Sequence, residues 1–167
     1  MDNVNPYQAP KANLGEEKDE GTELAGRWQR LGAAILDGLI GMVWSIPLMF
    51  LLGLWEYMRN GRPVPTTLLI TSTVIGFVMF VAVHGYFLKK NGQTLGKKIV
   101  GIRISDLENN VPSFGKVLLL RYLPISAVTL IPFAGQFLPL VDVLFIFRSD
   151  RRCVHDLIAG TKVIRAR

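Results

Sequence analysis

Residues 30–54 read RLGAAILDGLIGMVWSIPLMFLLGL, an arginine followed by an apolar run whose only charge is Asp37. The run is long enough to cross a bilayer, whose hydrocarbon core needs about 20 apolar residues. An aspartate inside such a span costs about 2.5–3.5 kcal/mol on insertion scales, so it points to a partner or a function. Seven residues separate Arg30 from Asp37. That is two helical turns, which puts both side chains on one stripe. Ala34, Gly38, Gly41 and Ser45 share the stripe, the kind of surface where membrane helices approach closely. Ile35, Leu39, Ile40, Met42 and Val43 cover the remaining faces. The polar and small face therefore looks into a bundle and the bulky faces meet lipid.

Half of the 167 residues are hydrophobic, which bounds the chain as one compact integral membrane unit. A secretory signal peptide is not expected, because the start is polar and the first apolar run is too long for one and lacks an Ala-x-Ala cleavage site. Residues 1–26 carry Lys11 and Lys18 against six acids, a net of −4 that leaves +10 for the rest of a chain of formal charge +6. This acidic tail, with Pro6 and Pro10, reads as disordered, and 27–167 reads as the membrane domain. The basic residues flank apolar runs instead of lining a soluble face, so membrane orientation explains them and nucleic acid does not. The lone Cys153 allows no internal disulfide.

Further apolar stretches cover 68–88, which holds His84, and 117–147, which is interrupted by Pro124, Pro132, Gly135 and Pro139. The loop between the first two runs has only Arg59 and Arg62. The loop 89–116 has six lysines and arginines, as does the tail 148–167. The positive-inside rule puts the first loop outside and the other two segments, with both termini, in the cytoplasm. The third stretch must then cross an even number of times, yet it is too short for two full spans. The expected fold is an all-α transmembrane bundle: full spans at about 31–54 and 68–88, and a broken hairpin of short helices at about 117–131 and 133–147. Short cytoplasmic β segments are expected where Ile99–Ile104 and Gly160–Ile164 alternate.

This topology sets Arg30, Asp37, His84, Arg121 and Asp142 at comparable depth in the inner half of the membrane. Arg30 and Asp37 are roughly 10 Å apart along one helix. Each therefore needs a partner elsewhere, and the available pairings are Arg121 with Asp37 and Asp142 with Arg30. His84 is the intramembrane group suited to titrate near neutrality, either as a proton carrier or as a histidine bonded to a carbonyl.

Gly92–Lys98, GQTLGKK, is one residue short of a phosphate-binding loop and has Lys98 where Ser or Thr would hold magnesium. It reads instead as a turn leading to an interfacial segment, 97–106, whose lysines meet anionic headgroups. Each basic residue near such a surface contributes about 1 kcal/mol. Cys153, His155 and Asp156 lack the two ligand pairs of a structural zinc site, so no metal is expected, and no cofactor is implied. His155 and Asp156 instead suit a clamp at the end of the bundle, through Lys97 or Arg151. No Ser, Cys or Thr is set beside a base, so catalysis is not expected.

Three motifs in order, RWQRLGAAILDGLI, GQTLGKKIVGIRISD and LVDVLFIF with RRCVHDLIAGTKVI, resemble the RDD family of bacterial membrane proteins, named for one arginine and two aspartates. The resemblance runs from about Leu24 to Ile164 and implies the bacterial cytoplasmic membrane as location. It carries the arginine to Arg30, the first aspartate to Asp37 and the second to Asp142, with Asp156 as the rival. Gly92, Thr94, Gly96, Lys97, Arg152, His155, Asp156, Gly160 and Thr161 fall in the family-motif stretches. Transport has been proposed for the family, and cation/proton antiport has been claimed for some members. Two readings follow. In a small cation/proton-coupled transporter, Asp37 and Asp142 bind a monovalent cation or proton, and a span set this small suits a homo-oligomer. In a non-catalytic membrane module, the Arg–Asp network fixes helix register and the basic cytoplasmic face binds a partner protein or anionic lipid.

Overall fold

The computed structural model describes residues 23–131 and 134–166, and it is mostly helical. The expected disorder of residues 1–22 lies outside the described residues. Helix α1 spans Arg27–Leu51 and is followed by a short α2 over Leu54–Arg59. Helix α3 spans Thr66–Asn91. Both α1 and α3 are long and apolar enough to cross a membrane. Their bulky residues, among them Ile35, Leu39, Val43, Phe50, Val74 and Val78, are exposed. Such an apolar belt suits helices whose solvent is lipid. Pro47 sits inside α1 without ending it.

A polar layer is built at one end of these two helices. The chain leaves α3 through Gly92, whose φ of +65° is the left-handed conformation that glycine adopts freely. A side chain at Gly92 would also meet the Ile104 carbonyl oxygen at 2.6 Å. Helix α4, Leu95–Val100, follows, and then strand β1, Ile102–Asp106. β1 pairs antiparallel with β2, Thr161–Arg165, with Ile102 opposite Arg165 and Asp106 opposite Thr161. Residues 23–25, read from sequence as the end of a disordered tail, are ordered instead. Leu24 bridges to Ile164, and the Ala25 N–H donates to the Val163 carbonyl at 3.0 Å. The physical reason is burial: Ala25 is fully enclosed with Ala33, Ile102 and Val163 in one small core.

The stretch 117–147 is divided into short helices, with Pro124 in the first turn of one and Pro139 inside another. Helix α5, Phe114–Val117, runs into a π-helical turn at Leu118–Tyr122 and then α6, Leu123–Val128. Helix α7, Ala134–Leu144, continues into a 3-10 turn at Phe145–Phe147. Helix α8, Val154–Ala159, then leads into β2. A second small core joins Leu88, Ile104 and Val117, with Phe80, Phe114 and Tyr122 packed on it, so α3, β1 and α5 meet there.

The small-residue stripe of α1 is used only in part. Gly38 and Ser45 are exposed. A methyl at Gly38 would meet nothing within 4 Å. Close approach occurs instead between α1 and α4, where a methyl at Gly96 would lie 2.5 Å from the Ala33 carbonyl oxygen and 2.8 Å from Asp37 Oδ1. Forcing a methyl into such a contact costs about 1–3 kcal/mol. Gly96→Ala should therefore lower the unfolding free energy in detergent by that amount, while Gly38→Ala should leave it unchanged or slightly raised. Equal effects at the two glycines would show that α4 does not pack on α1 as described.

Candidate functional site

The polar side chains gather at the Arg27 end of α1, in two grips. In the first, α1 and α3 hold the start of α4. Asp37 accepts from the Gly96 N–H at 2.7 Å and from the Thr94 hydroxyl, and the Lys97 ammonium stands 3.7 Å away. His84, buried in α3, accepts the next amide, Leu95 N–H, on Nδ1 at 3.1 Å. The first turn of a helix leaves its N–H groups unsatisfied, and a carboxylate there also suits the helix dipole. One side chain from each long helix thus takes one of two adjacent free amides of α4. A ring nitrogen that accepts an N–H carries no proton, so His84 is the neutral Nε2–H tautomer.

The second grip centres on Asp156 in α8. Its Oδ2 receives Arg30 from α1 and its Oδ1 receives Arg121 from the π turn, and the carboxylate is completely buried. The Cys153 N–H donates to Oδ2 at 3.1 Å and the Thr161 hydroxyl to Oδ1 at 3.2 Å. Arg121 also donates to Thr161 Oγ1 at 2.9 Å, and Arg30 to the Arg151 carbonyl. Arg152 closes the unit from outside, its Nε donating to the Thr161 carbonyl at 3.1 Å. Gly160 gives α8 its left-handed end at φ +58° and turns the chain into β2. Burial pushes the Asp156 carboxyl upward, but Arg121 and Arg30 more than offset this and hold it well below the usual carboxylate range.

Asp142 from α7 completes the layer. It accepts the His155 N–H at 3.0 Å and bonds His155 Nδ1. Burial, with Arg121 in support, holds the His155 imidazole below its ordinary value against the pull of Asp142. The neutral ring therefore donates its Nδ1–H to the carboxylate. Asp142, Cys153 and His155 bring three metal-ligand types within 4.8 Å of one another. The surroundings do not suit a cation: burial pushes the Cys153 thiol up to about 11, and Arg30 Nη2 stands 3.6 Å from its sulfur.

These contacts correct the sequence pairings. Arg121 joins Asp156, not Asp37, and Arg30 joins Asp156, not Asp142. His155 and Asp156 are held by Asp142 and the two arginines, not by Lys97. The reason is the path of the tail: α8 and β2 fold back under the helices, which brings Asp156 between the arginines and leaves Asp37 to α4. Three participants carried little sequence signal: the Leu95 amide, the Arg151 carbonyl at φ +53°, and the π turn that carries Arg121. Widened turns of this kind recur at functional positions.

The RDD family model matches residues 24–160, which includes both grips except Thr161. The chain belongs to the RDD family. It is 32% identical to the uncharacterized protein YckC of Bacillus subtilis over 142 residues, 85% of each chain. It is 31% identical over 93 residues to an uncharacterized protein of Haemophilus influenzae, a match that covers 55% of this chain and 57% of that relative. No solved structure gives a significant match. Arg30 and Asp37, to which the resemblance carries the family's arginine and first aspartate, lie one in each grip. The carboxylate that receives Arg30 is Asp156, the rival to Asp142 for the second aspartate.

Removing one member of a buried ion pair costs about 3–5 kcal/mol. Asp156→Asn should lower unfolding free energy by that amount at neutral pH. Because the folded carboxyl titrates below its unfolded value of about 3.9, its contribution is complete above that pH and is lost as pH falls further. Wild-type stability should thus decline below pH ~4, and the Asn variant should lose that part of the slope. Parallel acid profiles for the two proteins would contradict the clamp.

Proposed function

We propose that this RDD-family membrane protein is a non-catalytic module, with its charged network architectural and its basic face turned to anionic lipid headgroups. The observation that carries this reading is that each acid of the network already has its partners. Asp37 is taken by α4, Asp156 by two arginines and Asp142 by His155. An acid engaged in this way is not free to exchange a cation without taking the layer apart. Lys89, Lys90, Lys98 and Lys116 lie outside the network and are exposed around the same layer. With α1 and α3 as spans in the bacterial cytoplasmic membrane and both termini inside, as the positive-inside rule favours, these lysines lie at the inner headgroup level.

The second reading is a small cation/proton-coupled transporter, and one observation favours it. Asp37 remains part-way along a candidate span with about a sixth of its side chain exposed. Intramembrane acids of this kind mark ion pathways in other membrane proteins. Against it, no ionisable residue lies between Asp37 on α1 and Glu56 on α2, or between Arg62 and His84 before and along α3.

One preparation tests both readings. In nanodiscs of anionic phosphatidylglycerol the protein should melt higher than in zwitterionic phosphatidylcholine. Replacing Lys89, Lys90, Lys98 and Lys116 by Gln, or raising the salt, should shrink the difference. In proteoliposomes carrying a pH dye, a cation gradient should produce no proton flux beyond that of empty vesicles. Equal melting in the two lipids would defeat the headgroup reading. Cation-driven flux that disappears in a folded Asp37→Asn protein would establish the transporter.

A further inference from the structure

At the end of the spans opposite the polar layer, α2 lies between two left-handed glycines, Gly53 at φ +68° and Gly61 at φ +61°. The second turns the chain back, so that the Arg62 N–H donates to the Tyr57 carbonyl at 2.9 Å. Helix α2 is amphipathic. Trp55 and Met58 are exposed on its apolar side, and the Trp55 ring lies 5.7 Å from that of Phe50 near the end of α1. A tryptophan so placed suits the boundary between hydrocarbon and headgroups. The polar side of α2 and the returning chain border an open cavity of about 120 Å³, lined by Glu56, Tyr57, Asn60 and Arg62. A single water needs about 10–15 Å³, so a larger polar group fits here. The lining holds one negative and one positive side chain. Among the described residues, Glu56 and Arg62 form no ion pair with each other or with a third group. A cavity that presents both charges unpaired is matched by a ligand that carries both.

We propose that this cavity binds a zwitterionic headgroup that joins a primary ammonium to a phosphate, as in a phosphatidylethanolamine lipid. The Glu56 carboxylate accepts from the ammonium, while the Arg62 guanidinium, the Asn60 amide and the Tyr57 hydroxyl donate to the phosphate oxygens. A simple anion would meet Glu56 and a simple cation would meet Arg62, so neither is favoured. A choline headgroup carries the same charges, but its quaternary ammonium donates no hydrogen bond and is held by cages of aromatic rings. Among the described residues Tyr57 is the one ring in this lining. Exposed charge pairs contribute little in water. At the headgroup boundary, where Trp55 and Met58 set α2, the dielectric is lower and the same contacts strengthen. The site lies at the other end of the spans from the lysines of the headgroup reading and calls for no net lipid charge, so either can fail without the other.

The test places the full chain in nanodiscs of phosphatidylethanolamine and phosphatidylcholine in equal amounts and counts the lipids it retains in native mass spectrometry. Wild type should retain the ethanolamine lipid over the choline lipid about two- to fivefold, the scale of one exposed charge pair. Glu56→Gln removes the acceptor for the ammonium at an exposed position, so it should fold normally and bring the ratio close to one. Replacing Lys89, Lys90, Lys98 and Lys116 by Gln should leave the ratio unchanged. Soluble glycerophosphoethanolamine and glycerophosphocholine, added in lipid-free detergent, distinguish a free zwitterion from a membrane lipid. A saturable rise in melting temperature with the first alone, lost in Glu56→Gln, would show that the headgroup binds unaided. No rise, beside a lipid ratio that depends on Glu56, would assign the ligand to the bilayer. The proposal is overturned if wild type retains the two lipids equally, or if Glu56→Gln keeps the preference. It is equally overturned if the lysine variant alone loses it.

Discussion

The buried Asp156 carboxylate, with an arginine on each oxygen, is the contact on which the other parts of this fold rest. A single acid between two guanidinium groups has its charge more than matched, and its remaining acceptor capacity is taken by the Cys153 amide and Thr161. The three charges come from α1, the π turn and α8, segments far apart in the sequence. Burying any one alone would be prohibitive, because a lone ion loses its hydration. Together they are tolerated, so the helices and the C-terminal segment are held in one arrangement. Once α8 is fixed, β2 follows directly. The β1–β2 pair then carries Ile102, Ile104 and Val163 into the two small cores.

The first grip shows how polar residues within candidate spans can act as acceptors for backbone amides. Asp37 and His84 each answer a free amide at the start of α4. The bond needs an acceptor at each position, and Gly96 allows the close approach that makes it. An acid placed on α1 for this purpose produces the same sequence signature as an ion-binding acid. The difference lies in what meets the carboxylate, and here it is backbone, a hydroxyl and a lysine.

Much of this was legible in the sequence. The length and apolarity of 31–54 and 68–88 anticipate α1 and α3, whereas Pro139 sits inside α7 without breaking it. Arg30, Asp37, His84, Arg121, Asp142, His155 and Asp156 all enter the polar layer. The pairings were not legible. Spacing gives depth along a helix, but lateral position depends on how the tail folds back, and no periodicity encodes that. Residues 23–25 gave the composition of a tail because three residues joining a sheet edge carry no pattern of their own. Small residues permit close packing without requiring it, and within the single chain Gly38 and Ser45 stay exposed.

A double-mutant cycle measures the central claim most directly. Arg121→Gln and Asp156→Asn, singly and together, would be compared by reversible unfolding in detergent with a second cycle of Arg121→Gln and Asp37→Asn. Groups in direct contact within a buried network couple by about 0.5–3 kcal/mol, whereas groups without a shared contact add. The clamp predicts coupling near the upper end of that range for Arg121 with Asp156, and near zero for Arg121 with Asp37. Strong coupling to Asp37 with additivity at Asp156 would contradict it.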